Sequence, residues 1–326
     1  MRPAIKPGLL VVWRDQDTLQ IGIDPRRAVA LSGMGQAAGL IRLLDGSREY
    51  SQVLTAAEGL GIPREAADRV IGLLAAAGAL QDFPASALRA LPDGPRARLA
   101  RELAMVSLAH GHADGGARVL ARRQAASVRV YSAGPVGSEI ASLLTASGVG
   151  RVACTGPVGT PSAPARRPRP RHGRASQAQP PDLAVLGDGY PPGLPAELVA
   201  SGVVHLAVSA REAIGVVGPL VLPGESACLG CVELARADRD PAWPFILAQL
   251  AGQAAQPVAC AATLATAVAA QAVSQVLSCL DLARPDDAVI NGTLELVSPS
   301  WQWRRRSWPR HDQCRCSTQS ATCTRM

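Results

Sequence analysis

The first 85 residues alternate short apolar runs with stretches of helical periodicity. Apolar residues at 9–14 and 18–23 form two β-type runs around a polar turn, which predicts a β-hairpin. Three stretches with apolar residues three or four apart follow, each closed by a nearby glycine: residues 36–44, 50–60 and 64–77. A last apolar run at 79–83 predicts a wing strand. We therefore predict a small winged-helix-like α+β module over residues 1–85.

From residue 128 onward the pattern changes to strands separated by helices. A β run at 128–131, an amphipathic helix at 138–147 and a β run at 149–154 predict a β–α–β crossover, the unit from which parallel sheets are built. Further β runs are expected at residues 182–186, 203–208, 214–222 and 288–297. We therefore predict an α/β fold with a Rossmann-like domain over residues 128–326.

Two segments fit neither pattern. Residues 86–127 begin with a Pro-containing stretch and continue as a basic helical segment, which predicts a linker between the two domains. Residues 156–181 are rich in proline and arginine, a composition typical of a flexible low-complexity loop. The predicted organisation is therefore a module at 1–85, a linker at 86–127 and a larger domain that contains this loop.

The charge distribution weighs against a nucleic-acid-binding surface. The chain of 326 residues has 33 Lys and Arg against 26 Asp and Glu, so its formal net charge is +7. Residues 1–85 hold nine basic and nine acidic residues, which leaves the winged-helix-like module neutral. A module that binds DNA needs an excess of cations to neutralise phosphates. We therefore expect no nucleic-acid partner, although the helical pattern alone would also suit a DNA-binding regulator.

Residues 241–280 carry no charged side chain and resemble a membrane span in that respect. Alanine dominates the stretch, Pro257 interrupts it and glutamines are scattered through it, so we expect a pair of buried helices and no membrane contact. The first residues lack the apolar stretch of a signal peptide. We therefore expect a cytoplasmic protein whose eight cysteines are thiols or metal ligands.

The strongest chemical signal is a set of two cysteine pairs. Cys228 and Cys231 form a C-x-x-C turn, and Cys314 and Cys316 follow about 80 residues later. The turn directs two thiolates to one point, Gly230 permits a close backbone approach, and the second pair completes the four-sulfur tetrahedron that suits zinc. Unrelated buried cysteines, or a redox pair at Cys228 and Cys231, are the alternatives. We predict a structural Zn²⁺ site, closed by four protein ligands.

The turn after the first Rossmann-like strand carries the second signal. A strand, a glycine-rich turn and a helix place anions at the helix N-terminus, and Gly134 and Gly137 keep this pattern. Ser132, however, stands at the first glycine position, and Pro135 has no N–H to offer a phosphate. The acidic residue expected about 20 residues further on is missing. The residues therefore predict a Rossmann-type crossover in which nucleotide binding is impaired.

Asp188 follows the predicted strand at 182–186. A carboxylate at the carboxyl end of such a strand faces the crevice in which doubly wound sheets bind ligands, and it can hold Mg²⁺. The alternative is a turn residue between Gly187 and Gly189. The residues alone leave both interpretations open.

Residues 98–316 resemble the ThiF-like, ubiquitin-activating-type adenylyltransferase family. The resemblance rests on the crossover around Gly134 and Gly137, on the strand-ending Asp188, and on the run 218–231 with the cysteines that close it. That run also resembles an actinobacterial subgroup in which a winged-helix module that recognises leader peptides precedes the domain. The partner proteins of azoline-forming cyclodehydratases have this arrangement, and residues 8–85 fit such a module.

The resemblance implies ATP-dependent adenylation of a carboxyl terminus, a structural zinc and, in many members, a homodimer. It places Gly134, Gly137 and Ser138 at the nucleotide and Asp188 at Mg²⁺. This sequence departs from the family at the damaged glycine loop and at the missing acidic residue, and no residue can be matched to a catalytic role. A ThiF-type scaffold with a decayed active site is the interpretation that this combination favours.

Two functions follow from these observations. In the first, the chain is a degenerate scaffold that binds a peptide or protein substrate for a partner modifying enzyme, with the peptide added as a strand to the ribbon at 9–14 and 18–23. In the second, the chain is an active ATP-dependent enzyme that adenylates a C-terminal carboxylate. Binding or use of Mg²⁺-ATP distinguishes the two.

Overall fold

The computed structural model describes residues 1–35, 37–82, 93–132, 134–155, 180–252, 261–282 and 288–317. The chain divides into two compact units, Met1–Ala121 and Arg122–Met326. This division falls inside one helix, Ala117–Ala125. The domain boundaries predicted at residues 85 and 127 stay predictions.

The first unit combines two small antiparallel sheets with helices. Its strands are β1 (Pro3–Ile5), β2 (Val11–Trp13), β3 (Leu19–Ile21), β4 (Val29–Leu31) and β5 (Leu80–Asp82). Its helices are α1 (Gly39–Leu43), α2 (Tyr50–Gly59), α3 (Arg64–Ala76) and α4 (Asp93–His110), and α5 (Ala117–Ala125) spans its boundary. One sheet has the order β2-β3-β4, and β1 pairs with β5 in the other.

Most of the predicted elements of this unit are confirmed. The hairpin is β2 and β3, and the three helices are α1, α2 and α3. Strands β1 and β4 were not predicted, and the expected wing strand, β5, pairs with β1 through Pro3 opposite Asp82. Val53 and Leu54 of α2 and Ile71 of α3 are buried in one core. The unit is an α+β module, and its likeness to a winged helix stays a prediction.

Buried polar contacts tie α4 to the first unit. Lys6 Nζ donates to Ser107 O over 2.8 Å, and Ser107 Oγ donates to Gln81 Oε1 over 3.0 Å. Burial lowers the pKa of Lys6, and the nearby Asp114 carboxylate opposes that shift. The basic helical segment predicted within residues 86–127 therefore exists, and its first helix is packed against β1 and β5 rather than free.

The second unit is built on one seven-stranded sheet in the order β12-β11-β10-β9-β8-β6-β7. Its strands are β6 (Ser127–Tyr131), β7 (Arg151–Thr155), β8 (Leu183–Leu186), β9 (Val204–Arg211), β10 (Ile214–Val221), β11 (Gly292–Val297) and β12 (Gln302–Ser307). Its helices are α6 (Pro135–Ala146), α7 (Leu194–Ala200), α8 (Leu229–Ala237), α9 (Trp243–Gly252) and α10 (Ala262–Asp281). The fold is mixed α/β, as the sequence predicted.

The parallel half of the sheet is the predicted Rossmann-like part. Strands β7, β6, β8 and β9 run parallel, and β10, β11 and β12 continue antiparallel. The crossover β6–α6–β7 leads to one side of β6, and β8 lies on its other side. The carboxyl ends of β6 and β8 therefore form a topological switch point, where sheets of this kind bind ligands.

Helices α6 and α10 cover one face of this sheet. Ile140 and Leu144 of α6 share a core with Val268 and Val276 of α10 and with apolar side chains of β6, β8 and β9. Among the described residues, α10 is the one helix long and apolar enough to cross a membrane, and 44% of its apolar window is buried inside the protein. The prediction of a buried pair is therefore right for α10 and wrong for α9, whose side chains are mostly exposed, Phe245 by 72%.

A buried ion pair joins the start of the second unit to the end of α10. Arg123 Nε and Nη2 donate to the two carboxylate oxygens of Asp281 over 2.8 and 2.5 Å, and Arg123 Nη1 donates to Ser147 O over 3.0 Å. The side chains of Arg123 and Asp281 are 2% and 5% exposed. Because the pair is bidentate and buried, it fixes the positions of three chain segments relative to one another.

Strand β12 forms one edge of the sheet and was not predicted. It pairs with β11 on one side, and Arg304, Arg305 and Arg306 are exposed along it. Arg306 Nε lies 3.1 Å from a Glu295 oxygen, and the Arg305 guanidinium donates to Ile290 O over 3.0 Å. Sequence analysis that looks for apolar alternation does not detect a strand of this composition.

Candidate functional site

Four buried cysteines meet beside the end of β10. Cys228 Sγ lies 3.8 Å from Cys231 Sγ and 3.5 Å from Cys314 Sγ, and Cys231 Sγ lies 3.4 Å from Cys316 Sγ. All four sulfurs lie within 4.8 Å of one another. Four sulfurs placed tetrahedrally at the usual Zn–S distance are ~3.8 Å apart. The structure therefore brings the four predicted ligands together with the spacing of a metal site.

Local backbone features position the sulfurs. Cys228 is the N-cap of α8, which places Cys231 in the first helical turn. A Cβ on Gly230 would lie 3.2 Å from Cys314 Sγ, so glycine is the residue that lets the second pair approach. On the other side, Arg310 donates to Gly224 O over 3.1 Å and to Cys316 O over 3.3 Å. The guanidinium thus joins the C-terminal segment to the loop before α8.

Burial and hydrogen bonds shift the pKa values of these cysteines in opposite directions, and at Cys231 the hydrogen bonds prevail and lower the pKa. Burial raises the pKa of Cys228 to about 11 and also raises the pKa of Cys316, because thiolates lose hydration there. A divalent cation reverses this preference and holds the thiols ionised. A buried set of four sulfurs suits zinc in a closed structural site, which leaves no coordination position for catalysis. The residues present therefore fit a structural Zn²⁺.

Trp308 connects β11 and α8 next to this cluster. Its side chain is buried, and its Nε1 donates to Thr293 Oγ1 over 3.0 Å. The guanidinium carbons of Arg236, Arg239 and Arg306 lie 5.5, 5.5 and 5.6 Å from its ring centroid, within the range of cation–π attraction. Sequence analysis did not single out the contacts of Trp308 with Arg236 and Arg239, because these residues lie about 70 positions before it.

The residues predicted at the nucleotide lie around the switch point between β6 and β8. Gly134 is the N-cap of α6 and Pro135 its first residue, so the helix begins three residues before the predicted start. Pro135 contributes no N–H there, and Ser138 Oγ donates to Pro135 O over 2.8 Å. The hydroxyl of Ser138 is therefore bound to its own helix. The nucleotide roles of Gly134, Gly137, Ser138 and Asp188 stay predictions.

Ser132 fills the space between two glycines at this point. A Cβ built on Gly137 would overlap Ser132 Cβ, and one built on Gly187 would lie 2.5 Å from Ser132 Oγ. The serine at the first glycine position is therefore accommodated because both facing residues lack a side chain. Its side chain occupies the close-packed space that a glycine would leave open at the start of α6.

We expect Gly137→Ala to destabilise the protein by about 1–3 kcal/mol, because the added methyl group forces Ser132 or α6 to move. Ser132→Gly in the same chain frees that space, so the double variant should recover most of the loss. Urea unfolding of the two single variants and the double variant measures the coupling.

Gly134→Ala is the matched control for this cycle. A Cβ there meets nothing within 4 Å, and the backbone φ of −109° suits alanine. Equal destabilisation by Gly134→Ala and Gly137→Ala, or no recovery in the double variant, would contradict the packing of Ser132 against Gly137.

Asp188 is bound to an arginine that sequence analysis did not single out. Asp188 follows β8 and Arg211 ends the neighbouring parallel strand β9. Arg211 Nε donates to Asp188 Oδ1 over 2.7 Å, and the Asp188 side chain is 20% exposed. A charged residue near the carboxyl end of a second predicted parallel strand was the signal that could have revealed this pair.

A separate surface in the first unit exposes apolar side chains on a sheet edge. Leu10 precedes β2, and it and the three β2 residues Val11, Val12 and Trp13 are all exposed, Trp13 by 50%. Strand β2 pairs with β3 on one side and is the outer strand of its sheet. We call these four residues the β2 edge.

The backbone of the β2 edge has outward-facing hydrogen-bonding groups. Leu10 O accepts from the N–H of Gly22, and Arg14 N donates to Thr18 O, so alternate residues from Leu10 to Arg14 face β3. Antiparallel pairing therefore turns the N–H and C=O groups of Val11 and Trp13 toward the open side. Such an edge is a template for another strand.

No family model and no curated protein matches the sequence, but the structure resembles solved proteins. One is a heterocyclase in complex with substrate and cofactor, with TM-score 0.66 and 16% identity over 97% of this chain. The heterocyclase TruD gives TM-score 0.62, also at 16% identity over 97% of this chain. This chain spans 39% and 42% of those two proteins, respectively.

A third solved protein matches in length as well. E. coli MccB in complex with AMPCPP and MccA gives TM-score 0.66 and 12% identity, and the match covers 97% of this chain and 99% of MccB. MccB has also been solved with ATP, with TM-score 0.64. At these identities the likeness establishes a shared fold.

These structural neighbours are ThiF-like proteins of ribosomal peptide modification, and the chain has their mixed α/β fold, as the sequence resemblance implied. Of the neighbours named above, MccB is matched over essentially its full length.

Proposed function

We propose that this chain is a ThiF-like scaffold that binds a peptide or protein substrate and presents it to a partner modifying enzyme. The observation that carries the proposal is the β2 edge, an exposed apolar strand at the margin of a small sheet, whose outward-facing backbone groups pair with no other strand in the described part of the chain. The structures of MccB with MccA and of a heterocyclase with its substrate support a role in peptide modification.

The chemistry of the β2 edge suits an extended peptide. A bound strand would gain main-chain hydrogen bonds from Val11 and Trp13, and side chains would supply specificity through contacts with Val12 and Trp13. Tryptophan is a residue type that dominates binding energy at protein interfaces. The equal numbers of basic and acidic residues in 1–85 favour a peptide over a nucleic acid.

A second candidate function is ATP-dependent adenylation of a C-terminal carboxylate. The crevice at the ends of β6 and β8 favours it, since MccB has the same fold and has been solved with ATP and AMPCPP. Pro135 and the bound Ser138 hydroxyl remove polar groups that a phosphate would need. Pyrophosphate exchange into ATP by the purified chain, at low micromolar nucleotide, would establish this function in place of the scaffold.

We expect Val11→Pro to abolish peptide binding while the fold persists. Proline removes an N–H that faces the open side of β2. An edge strand tolerates this loss, but an added peptide strand then lacks one of its main-chain hydrogen bonds. A displayed library of random peptides about 15 residues long, enriched on the wild-type chain, supplies the probe. Fluorescence polarisation of the enriched peptide should show at least a tenfold loss of affinity, about 1.4 kcal/mol.

Val11→Ala is the matched control, because it removes the same side chain but keeps the N–H. It should bind within about threefold of wild type. Equal losses in the two variants would point to a side-chain contact, and unchanged binding in Val11→Pro would overturn strand addition at the β2 edge. Zinc content and the thermal midpoint should stay those of wild type in both variants.

Homodimer formation and a cytoplasmic location complete the proposal. Sedimentation equilibrium tests the first of these.

A further inference from the structure

The ion pair between Asp188 and Arg211 stands where the ThiF resemblance places Mg²⁺. Asp188 Oδ1 accepts from Arg211 Nε over 2.7 Å, and this carboxylate is the predicted metal ligand at the switch point. A divalent cation at the same carboxylate would have to displace the guanidinium or lie next to its positive charge. The donor set observed here therefore does not fit a divalent cation.

The backbone holds the two residues together independently of any ligand. Leu186, two residues before Asp188, pairs with Ala207 of β9, and Arg211 pairs with Ile214 at the β9–β10 turn. Ala213, in that turn, has a left-handed backbone with a φ of 61°. Arg211 ends β9 and Asp188 lies two residues beyond β8, so two neighbouring strands bring the pair together, with the Arg211 side chain 53% exposed.

Among the residues that the structure describes, the neighbours of the pair offer no alternative ligand set. Tyr190 is next to the pair, and burial raises its pKa, with the Glu233 and Asp188 carboxylates adding to that shift. Glu233 itself accepts from Trp243 Nε1 and from Arg236. In the described part of the chain, no group of three or more ligating side chains lies near Asp188. A Mg²⁺ ion there would be held by the Asp188 carboxylate together with phosphates of a ligand, and Oδ1 of that carboxylate already accepts from Arg211.

We infer that Arg211 excludes divalent cations from this crevice, so that Asp188 serves as the counter-ion of an arginine and anionic ligands bound there are held without Mg²⁺. Arg211 is then a specificity-determining residue. The inference concerns the second unit and does not depend on peptide binding at the β2 edge.

The test uses Mn²⁺ as the probe, with the full-length chain first loaded with zinc. Free Mn²⁺ is measured by electron paramagnetic resonance in wild type, Asp188→Asn, Arg211→Ala and the double variant. The quantity of interest is the Mn²⁺ binding that Asp188→Asn removes. In wild type we expect no Asp188-dependent Mn²⁺ binding at up to 1 mM Mn²⁺, which is of the order of the concentration at which weak cation sites fill. In Arg211→Ala we expect an Asp188-dependent Mn²⁺ site that binds at least about tenfold more tightly than any in wild type. The double variant should lose this site.

Arg26→Ala is the matched control, since it removes another arginine bound to an aspartate, Asp24, on the surface. It should gain no site. Arg211→Gln repeats the test with a polar side chain, and each variant's thermal midpoint shows that it is folded. Wild-type Mn²⁺ binding that Asp188→Asn abolishes would overturn the inference. Folded Arg211→Ala and Arg211→Gln proteins that gain no Asp188-dependent site would overturn it as well.

Discussion

The chain with Cys314 and Cys316 both replaced by serine should contain no zinc and should lose its C-terminal segment from the folded structure. The wild-type chain should contain one zinc ion, because four sulfurs within 4.8 Å of one another form one closed site. Two of the sulfurs come from Cys228 and Cys231 at the start of α8 and two from the C-terminal segment, so a bound ion would be coordinated by both segments. Structural zinc in small domains supplies about 10–16 kcal/mol of apparent binding energy. We expect a bound zinc ion to add several kcal/mol to the free energy of unfolding of this larger unit.

The measurements are zinc per chain by mass spectrometry and the thermal midpoint before and after chelation. Cys154→Ser is the matched control, since Cys154 is an exposed free thiol outside the cluster. It should keep one zinc ion and the wild-type midpoint. A double serine variant that keeps its zinc, or a zinc-free wild-type chain with an unchanged midpoint under chelation, would contradict the structural role of the metal.

Arg123→Ala should destabilise the second unit by about 3–5 kcal/mol, the usual cost of breaking a buried ion pair by removing one of its two side chains. The Asp281 carboxylate would lose two hydrogen bonds from the guanidinium while its side chain stays 5% exposed. Urea unfolding of the wild-type chain and of the variant measures the loss.

The double variant Arg123→Met, Asp281→Leu separates charge from shape. Apolar residues of similar size often replace a buried ion pair at little cost, so this variant should be more stable than Arg123→Ala. Arg26→Ala, which removes an exposed pair, should unfold at the wild-type urea concentration. An Arg123→Ala protein as stable as wild type would show that the pair adds nothing to the fold.

The sequence predicted the elements that have a strong apolar period. The crossover β6–α6–β7 and the helices α2 and α3 were found because their buried residues recur at strand or helix spacing. Strands β1 and β4 were missed because each has only three residues, too few for a period to show. The start of α6 was misplaced because Pro135, read as part of a turn, is the first residue of the helix.

The parts of the candidate site differ in how far the sequence predicted them, again because a sequence shows local patterns and not contacts between distant segments. The four cysteines were found because two closely spaced pairs of one rare ligand type stand out in the sequence. The partnership of Asp188 with Arg211 joins the ends of two different strands, and no local spacing encodes it. Ser132 was recognised as a departure from the glycine pattern, but its accommodation depends on Gly187, more than 50 residues away.

The arginines of β12 have a consequence for the protein in concentrated solution. Strand β12 is the last strand of the seven-stranded sheet, and Arg304 and its two arginine neighbours are exposed along it. Two copies that paired β12 with β12 would bring these like charges together, and the repulsion disfavours that pairing. Neutralising substitutions along this strand should therefore promote aggregation before they affect any binding property.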